Sequence, residues 1–350
     1  MAYTLDNPQL YFQPVVYSGT STSTAVTLPG TEDMQPDAVW TKSTSNAETH
    51  CLYDSVRGTG KRLRPDDNAA ENDEGSNGVS AFSSDGFTTG EQGGSGQNGL
   101  DYVAWCWKMG TTSGITTTGS NITPAGYSFN QTAGQSIIKW AGTGSDHLLP
   151  HGLGKAPDFA FIKVTDSTQY WMVYHSSLGN AKEFYFNVTN AAGSSTTWNT
   201  TDPTTVNMSL DSSDGNGVNY SGKNYVGYFF ANTKGYSKAG KWTGNANANG
   251  PVIHCGFTPA MILYKNSGGT DNWIMKTKTR QVNTNNYYVK TDENAAEVTS
   301  NTISAIDFLS NGFKVRATDS ATNGSDATYV YIAFAESPQQ NSNGVPATAV

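Results

Sequence analysis

One pattern occurs three times along this chain, and a repeat decides the architecture before any single element is assigned. The run Gln35-Pro36-Asp37-Ala38-Val39-Trp40-Thr41-Lys42 returns as Ala156-Pro157-Asp158-Phe159-Ala160-Phe161-Ile162-Lys163. It returns again as Thr258-Pro259-Ala260-Met261-Ile262-Leu263-Tyr264-Lys265, at intervals of 121 and 102 residues. In each, a proline opens a short apolar strand that closes on a lysine. A second block follows: Cys51-Leu52-Tyr53-Asp54-Ser55-Val56-Arg57-Gly58, then Trp171 to Gly179, then Trp273 to Arg280. The closing block reads Tyr102-Val103-Ala104-Trp105-Cys106-Trp107, then Tyr225 to Ala231, then Tyr329 to Ala335, spaced by 123 and 104 residues.

Polar turns precede each closing block: Gln97-Asn98-Gly99, Ser221-Gly222-Lys223-Asn224 and Thr322-Asn323-Gly324. Ser84-Asp85-Gly86-Phe87 and Ser310-Asn311-Gly312-Phe313 add a further match between the first and third copies. The chain therefore divides into an N-terminal arm with copy 1 (1–113), copy 2 (114–236), and copy 3 with a C-terminal tail (237–350). The joints are placed in Thr111 to Gly119 and Gly235 to Gly240, where small polar residues cluster.

Within each copy, short runs rich in β-branched and aromatic residues are separated by Gly, Asn, Asp and Ser clusters, the signature of a sandwich or barrel. About seven strands fit per copy. The expected fold is all-β: three tandem antiparallel β-sandwiches of jelly-roll or lectin-like type. The closing strand, aromatic at nearly every position, suits burial on both faces, and the alternation of Trp171 and Val173 suits a half-buried strand. The best helix candidate, Asn68 to Glu74, is cut short by Gly75 and Asn77-Gly78. Only 14% of the residues are charged while glycine supplies 37, which agrees with strands and turns rather than helices.

A net charge of −8 argues against nucleic acid as a partner, since phosphate neutralisation needs clustered Lys and Arg. No run of about 18 apolar residues suggests a membrane span. Met1 to Asp6 carries no basic segment followed by an apolar core, so synthesis without a secretory signal is expected. Cys51, Cys106 and Cys255 are odd in number and widely spaced, which favours buried thiols over a disulfide framework or zinc site.

These residues resemble the repeat-containing structural proteins of tailed, often marine, bacteriophages, whose copies read like H-G-L-G-x-x-P, Y-D-S-x-R-G, S-N-G-F and Y-V-A-F-A. His151-Gly152-Leu153-Gly154-Lys155-Ala156-Pro157, Lys241 to Asn245, Asp307 to Lys314 and Ala333 to Glu336 carry the likeness, which covers nearly the whole chain. It implies a virion component, tail-associated, fibre or capsid-surface, built from concanavalin-A-like sandwiches. It brings no catalytic residues. Copy 1 lacks the H-G-L-G lead-in, and copy 3 has Lys276-Thr277-Lys278 in place of Y-D-S.

No G-x-S-x-G, H-E-x-x-H or phosphate-binding loop is present, so no catalytic residue, cofactor or metal site is expected. His50, His147, His151, His175 and His254 are not grouped at metal-ligand spacing and read as turn or strand-end residues. Asp211 to Gly217 has the oxygen donors of a calcium loop without its closing Glu, and reads as a hairpin turn. Asp54 and Arg57 are spaced for a local ion pair or a clamp on a neighbouring chain. Lys61, Arg62 and Arg64 sit back to back with Asp66, Asp67, Glu71, Asp73 and Glu74. With Arg57 they are candidates for a self-complementary subunit contact, the alternative being a solvated loop. Trp198, Trp242, Tyr287 and Tyr288, with Tyr220 and Tyr236, lie in polar contexts and are candidates for stacking on sugar. The N-x-[ST] sequons read as accidents of composition.

The expected partners are other copies of the chain, in a trimer, and other virion proteins; ordered terminal arms would lock neighbours together. The alternative is a lectin-like module reading host surface glycan, and a third reading is a glycan-degrading tail enzyme.

Overall fold

The computed structural model describes residues 5, 7–20, 22–212, 217–281, 283–284, 286–299 and 304–336, with the backbone of 339–340 and 346–347. Strand accounts for 41% of the described residues and helix for 3%, in antiparallel sheets that do not close into a barrel. Each third of the chain supplies one large and one small sheet. In the first, Asp101–Trp107 lies between Phe12–Ser18 and Ala38–Ser43, and Cys51–Asp54, Gly58–Leu63 and Asn72–Asp73 follow outward. In the second, Asn224–Phe230 lies between Gln135–Ala141 and Phe159–Val164; in the third, Thr328–Ala335 lies between Ser237–Thr243 and Pro259–Asn266. The register agrees as well, with Val39 opposite Cys106, Ala160 opposite Phe229 and Ile262 opposite Ala333.

Side chains alternate across a strand, and here the two faces have different destinations. Val103, Trp105 and Trp107 point into the same core as Val226, Tyr228 and Phe230, and as Val330, Ile332 and Phe334. That core is shared by all three large sheets. The intervening residues face each copy's own small sheet: Ala104 and Cys106 with Val79 and Phe87, Tyr225 and Phe229 with Met208 and Leu210, Tyr329 and Tyr331 with Ile306 and Phe313. The closing strands are apolar at nearly every position because a core lies on each side of them.

The same arrangement corrects the expectation of a half-buried second block. Trp171 and Val173 enter the shared core while Met172 and Tyr174 enter the core of copy 2, so all four are buried. Among the described residues the copies hold nine, nine and eight strands, with two more in the C-terminal tail, more than seven because short edge strands such as Gly193–Ser194 are added. No helix forms over 68–74. The segment pairs instead as Asn72–Asp73 against Gly58–Leu63, and a 3-10 turn follows at Gly75–Asn77.

Part of the N-terminal arm is sheet: Phe12–Ser18 pairs in register with Asp101–Trp107, and Phe12 is in the shared core. Gly86 and Gly312, of the repeated Gly-Phe pair, have φ of 119° and 159°. A Cβ there would sit 2.0 Å from the Val26 carbonyl oxygen and 1.9 Å from that of Ile253. Only glycine lets these small-sheet strands approach so closely.

Candidate functional site

The polar groups with the most structural consequence lie where the copies meet, and equivalent positions serve all three joints. The lysines that end the repeated strands, Lys42, Lys163 and Lys265, are fully buried. Each ammonium donates to carbonyls of its own copy and to one of a neighbour: Lys42 to Asn294 (3.3 Å), Lys163 to Asn68 (3.2 Å) and Lys265 to Thr189 (3.1 Å). Burial lowers all three to a pKa of about 8.

A second set starts the second block. His50 Nε2 meets the Lys290 carbonyl at 3.0 Å, Trp171 Nε1 donates to the Arg64 carbonyl at 2.9 Å, and Trp273 Nε1 donates to that of Tyr185 at 2.8 Å. A third set ends that block. Tyr228 donates its hydroxyl to Asp54 (2.5 Å), His175 Nε2 meets the Tyr331 carbonyl (3.1 Å), and Trp105 Nε1 donates to Thr277 Oγ1 (2.9 Å). Backbone bonds complete the series, with Glu71 N–H donating to the Thr165 carbonyl, Ala192 to Ser267 and Glu297 to Thr44. Every set runs in one rotational sense, the head-to-tail order by which heterologous contacts close a ring. Copies 1 and 2, and 2 and 3, are also consecutive in the chain; copies 3 and 1 are not, and meet through such contacts and through the shared core, where Phe12 and Trp107 pack on Phe334.

At the joint of copies 1 and 2, Arg57 Nε pairs with Asp54 Oδ2 at 2.5 Å, and both side chains are buried. The guanidinium also donates to the carbonyls of Lys61 and Leu52, to Glu71 and to the Tyr228 hydroxyl. Burial opposes its charge, and Asp54 first, then Tyr228 and Glu71, more than offset it, so the Arg57 pKa moves up. The spacing of Asp54 and Arg57 thus makes a local pair that also grips the neighbouring copy of the same chain.

The charges of this run pair with one another along a hairpin. Antiparallel pairing places Lys61 opposite Asp73, and the two bond at 2.6 Å. Arg62 pairs with Glu74 (2.8 Å) and Arg64 with Asp67 (3.0 Å). Asp66 accepts the His50 backbone N–H, and burial raises its carboxyl to about 7. The hairpin expected as a contact surface thus balances its own charges.

Of the sugar-stacking candidates, Trp198, Trp242, Tyr236 and Tyr288 are corrected: they are buried. Trp198 is 0% exposed, packs edge-on to Tyr174 and donates to the Lys182 carbonyl. Trp242 lies stacked on Tyr329, with ring centroids 4.9 Å apart. Tyr288 is buried with the Lys276 ammonium over its ring, and Tyr236 is buried with its hydroxyl on Gln135. Tyr287 and Tyr220 are half-buried. The large rings fill sandwich interiors; the polar residues beside them in the sequence belong to the adjoining turns.

The five histidines lie at strand ends or directly beside them; His50, His151 and His175 are buried, while His254 is exposed. Cys51 and Cys106 are buried free thiols and Cys255 is half-buried. Among the described residues no group of three or more His, Cys, Asp or Glu is placed to hold a metal ion. Residues 213–216 of the calcium-like loop lie outside the described residues, as do the side chains of the tail.

Sequence reasoning noticed Lys42, Lys163 and Lys265 as strand ends without assigning them a role, and it missed His50 and His175. The recurrence of a lysine at one position of an apolar repeat was the available signal.

Fold and joints together define an all-β protein of packed antiparallel sandwiches. Residues 7–338 match the family described as a domain of unknown function, DUF7483, and the chain belongs to that family. No curated protein and no solved structure matches it.

Proposed function

We propose that the protein is a structural component of a tailed-phage virion, tail-associated, fibre or capsid-surface. It acts as a rigid block that contacts other copies of itself, in a trimer, and other virion proteins. The observation that carries this reading is the shared core with its three joints, where Lys42, Lys163, Lys265, Arg57, His50 and His175 are committed to holding the copies together. Burying ionisable groups in hydrogen-bonded joints favours one fixed arrangement over a mobile one, which suits a load-carrying particle protein. The resemblance of the repeated motifs to phage structural proteins supports the same reading. Glycan recognition by Trp198 or Trp242 has no exposed ring to rest on.

Reconstruction of purified particles, with antibody labelling of this chain, tests the proposal. Labelled density at a fixed stoichiometry on tail or shell is the expected result. Absence of the chain from purified particles overturns it, and submillimolar binding on a glycan array would favour the lectin alternative.

A further inference from the structure

One end of the ring changes in charge from copy to copy. The closing strands meet there, with the ring centroids of Trp107, Phe230 and Phe334 5.4 to 6.2 Å apart. Over them sit the turns that precede the first strands, closed by bonds from the Tyr11 N–H to the Pro8 carbonyl, Gly134 to Asn130 and Tyr236 to Thr233. Tyr236 packs on Phe334 and on Tyr11, and Ala133 enters the shared core. The three turns therefore surround the approximate three-fold axis, and the residues beside each turn make up one third of that end face.

In copy 1, Gln9 Oε1 accepts the Thr31 N–H and Gln13 Nε2 donates to the Glu32 carbonyl, which lays the exposed Glu32 and Asp33 beside the turn. Half-buried Asp85 is held next to them, its Oδ1 accepting the Met34 N–H. In copy 3 the register puts Lys238 where copy 1 has Gln13, and Lys234, Lys238 and His254 line one groove. Lys155 reaches the rim of that groove from copy 2, donating to the Asn232 carbonyl at 3.2 Å and faced by Asp158. The groove beside the copy 2 turn, between Gln131, Gly152, Gly154 and Thr205, has no charged lining residue. Among the described residues Glu32, Asp33 and Lys238 form no ion pair. The copies as wholes follow the same order, with 14 Asp and Glu against 6 Lys and Arg in residues 1–113, and 8 against 9 in 237–350.

We propose that this end face is a self-complementary contact: two chains meet on it about a two-fold axis through copy 2, each setting its acidic third against the basic third of the other. A two-fold axis perpendicular to the three-fold and passing through copy 2 exchanges copies 1 and 3. Glu32 and Asp33 of each chain then meet Lys234 and Lys238 of the other, and the uncharged third meets itself. A two-fold through copy 1 would set acid on acid, and one through copy 3 base on base, so the charges select one setting of three. The contact is isologous and joins chains in pairs. It rests on the reading that the chain contacts other copies of itself, and it names the surface.

Sedimentation velocity of the full chain tests the contact. Pairs of chains, or pairs of trimers, are expected at low salt, parting as added salt screens the charges. One variant carries Lys234→Glu with Lys238→Glu and a second Glu32→Lys with Asp33→Lys. Each alone sets like charge on like charge, so its pairing should weaken roughly tenfold or more. Mixed in equal amounts the two variants should pair again, because acid then faces base at both contacts. Zero-length carbodiimide cross-linking between isotopically distinct unaltered chains needs no variant and should join Lys234 or Lys238 of one chain to Glu32 or Asp33 of the other. Folded variants that fail to pair when mixed overturn the proposal, as do cross-links between chains that never join these residues. A trimer indifferent to both variants and to salt overturns this contact and leaves the wider reading of self-contact standing, whereas a chain that stays monomeric at low salt overturns both.

Discussion

The joint between copies 1 and 2 and the joint between copies 1 and 3 occupy equivalent places, yet one is built around a permanent charge and the other around a titratable ring. Arg57, held by Asp54, Glu71 and Tyr228, stays charged at any working pH. His50 bonds the Lys290 carbonyl of copy 3 with one ring nitrogen and accepts the Trp40 indole N–H with the other. A shared backbone frame fixes where a joint lies, and the side chain placed there decides how it is held.

The largest effect expected from breaking this contrast comes from Arg57→Ala. It leaves the buried Asp54 carboxylate without its partner, and removing one member of a buried pair costs about 3–5 kcal/mol. Urea unfolding at pH 7 should show it, and a loss near zero would mean that the pair does not secure the joint. Next is Trp273→Phe, which removes the indole N–H donated to the Tyr185 carbonyl at the joint of copies 2 and 3. About 1–3 kcal/mol should be lost, with faster exchange at Ala192 before Glu71.

The buried lysines sharpen the comparison with a pH dependence of their own. Because their folded pKa of about 8 lies below the ordinary lysine value, the unfolded chain holds more protons between about pH 8 and 10.5. Their contribution to stability therefore rises with pH across that window, by about 1–3 kcal/mol each. In Lys163→Met the part of the alkaline rise due to that residue should vanish from denaturation curves measured at pH 7.5 and 9.5. The smallest effect belongs to Lys61→Ala, whose partner Asp73 is exposed. Exposed pairs contribute little, so the unfolding midpoint should not move measurably.

Much of the framework is visible in the chain itself. The repeated runs coincide with the strands Ala38–Ser43, Phe159–Val164 and Pro259–Asn266, and the aromatic closing runs with Asp101–Trp107, Asn224–Phe230 and Thr328–Ala335. A strand buried on both faces reads as a continuous apolar run whatever covers it, so the second, shared core behind Trp105, Tyr228 and Ile332 could not be told from a partner chain. For the same reason Trp171 and Val173 looked half-buried. The three-residue spacing of Asp54 and Arg57 was readable, whereas Tyr228, 174 residues from Asp54, was not. Trp198 and Trp242 misled because their sequence neighbours are turn residues while their rings point inward. Depth is a tertiary property, and the burial of Lys42, Lys163 and Lys265 has no local signature at a strand end, where lysine ordinarily reaches water.

The central claim is that three copies share one core and stand or fall together at neutral pH. Trp40, Trp105, Trp107, Trp171 and Trp273 report on the shared core, and Trp140, Trp198 and Trp242 on the cores of copies 2 and 3. Urea unfolding of the full chain at pH 7, followed by tryptophan fluorescence and far-ultraviolet circular dichroism together, tests the claim most directly. One transition with coincident midpoints is the predicted result; separate transitions for individual copies would contradict it.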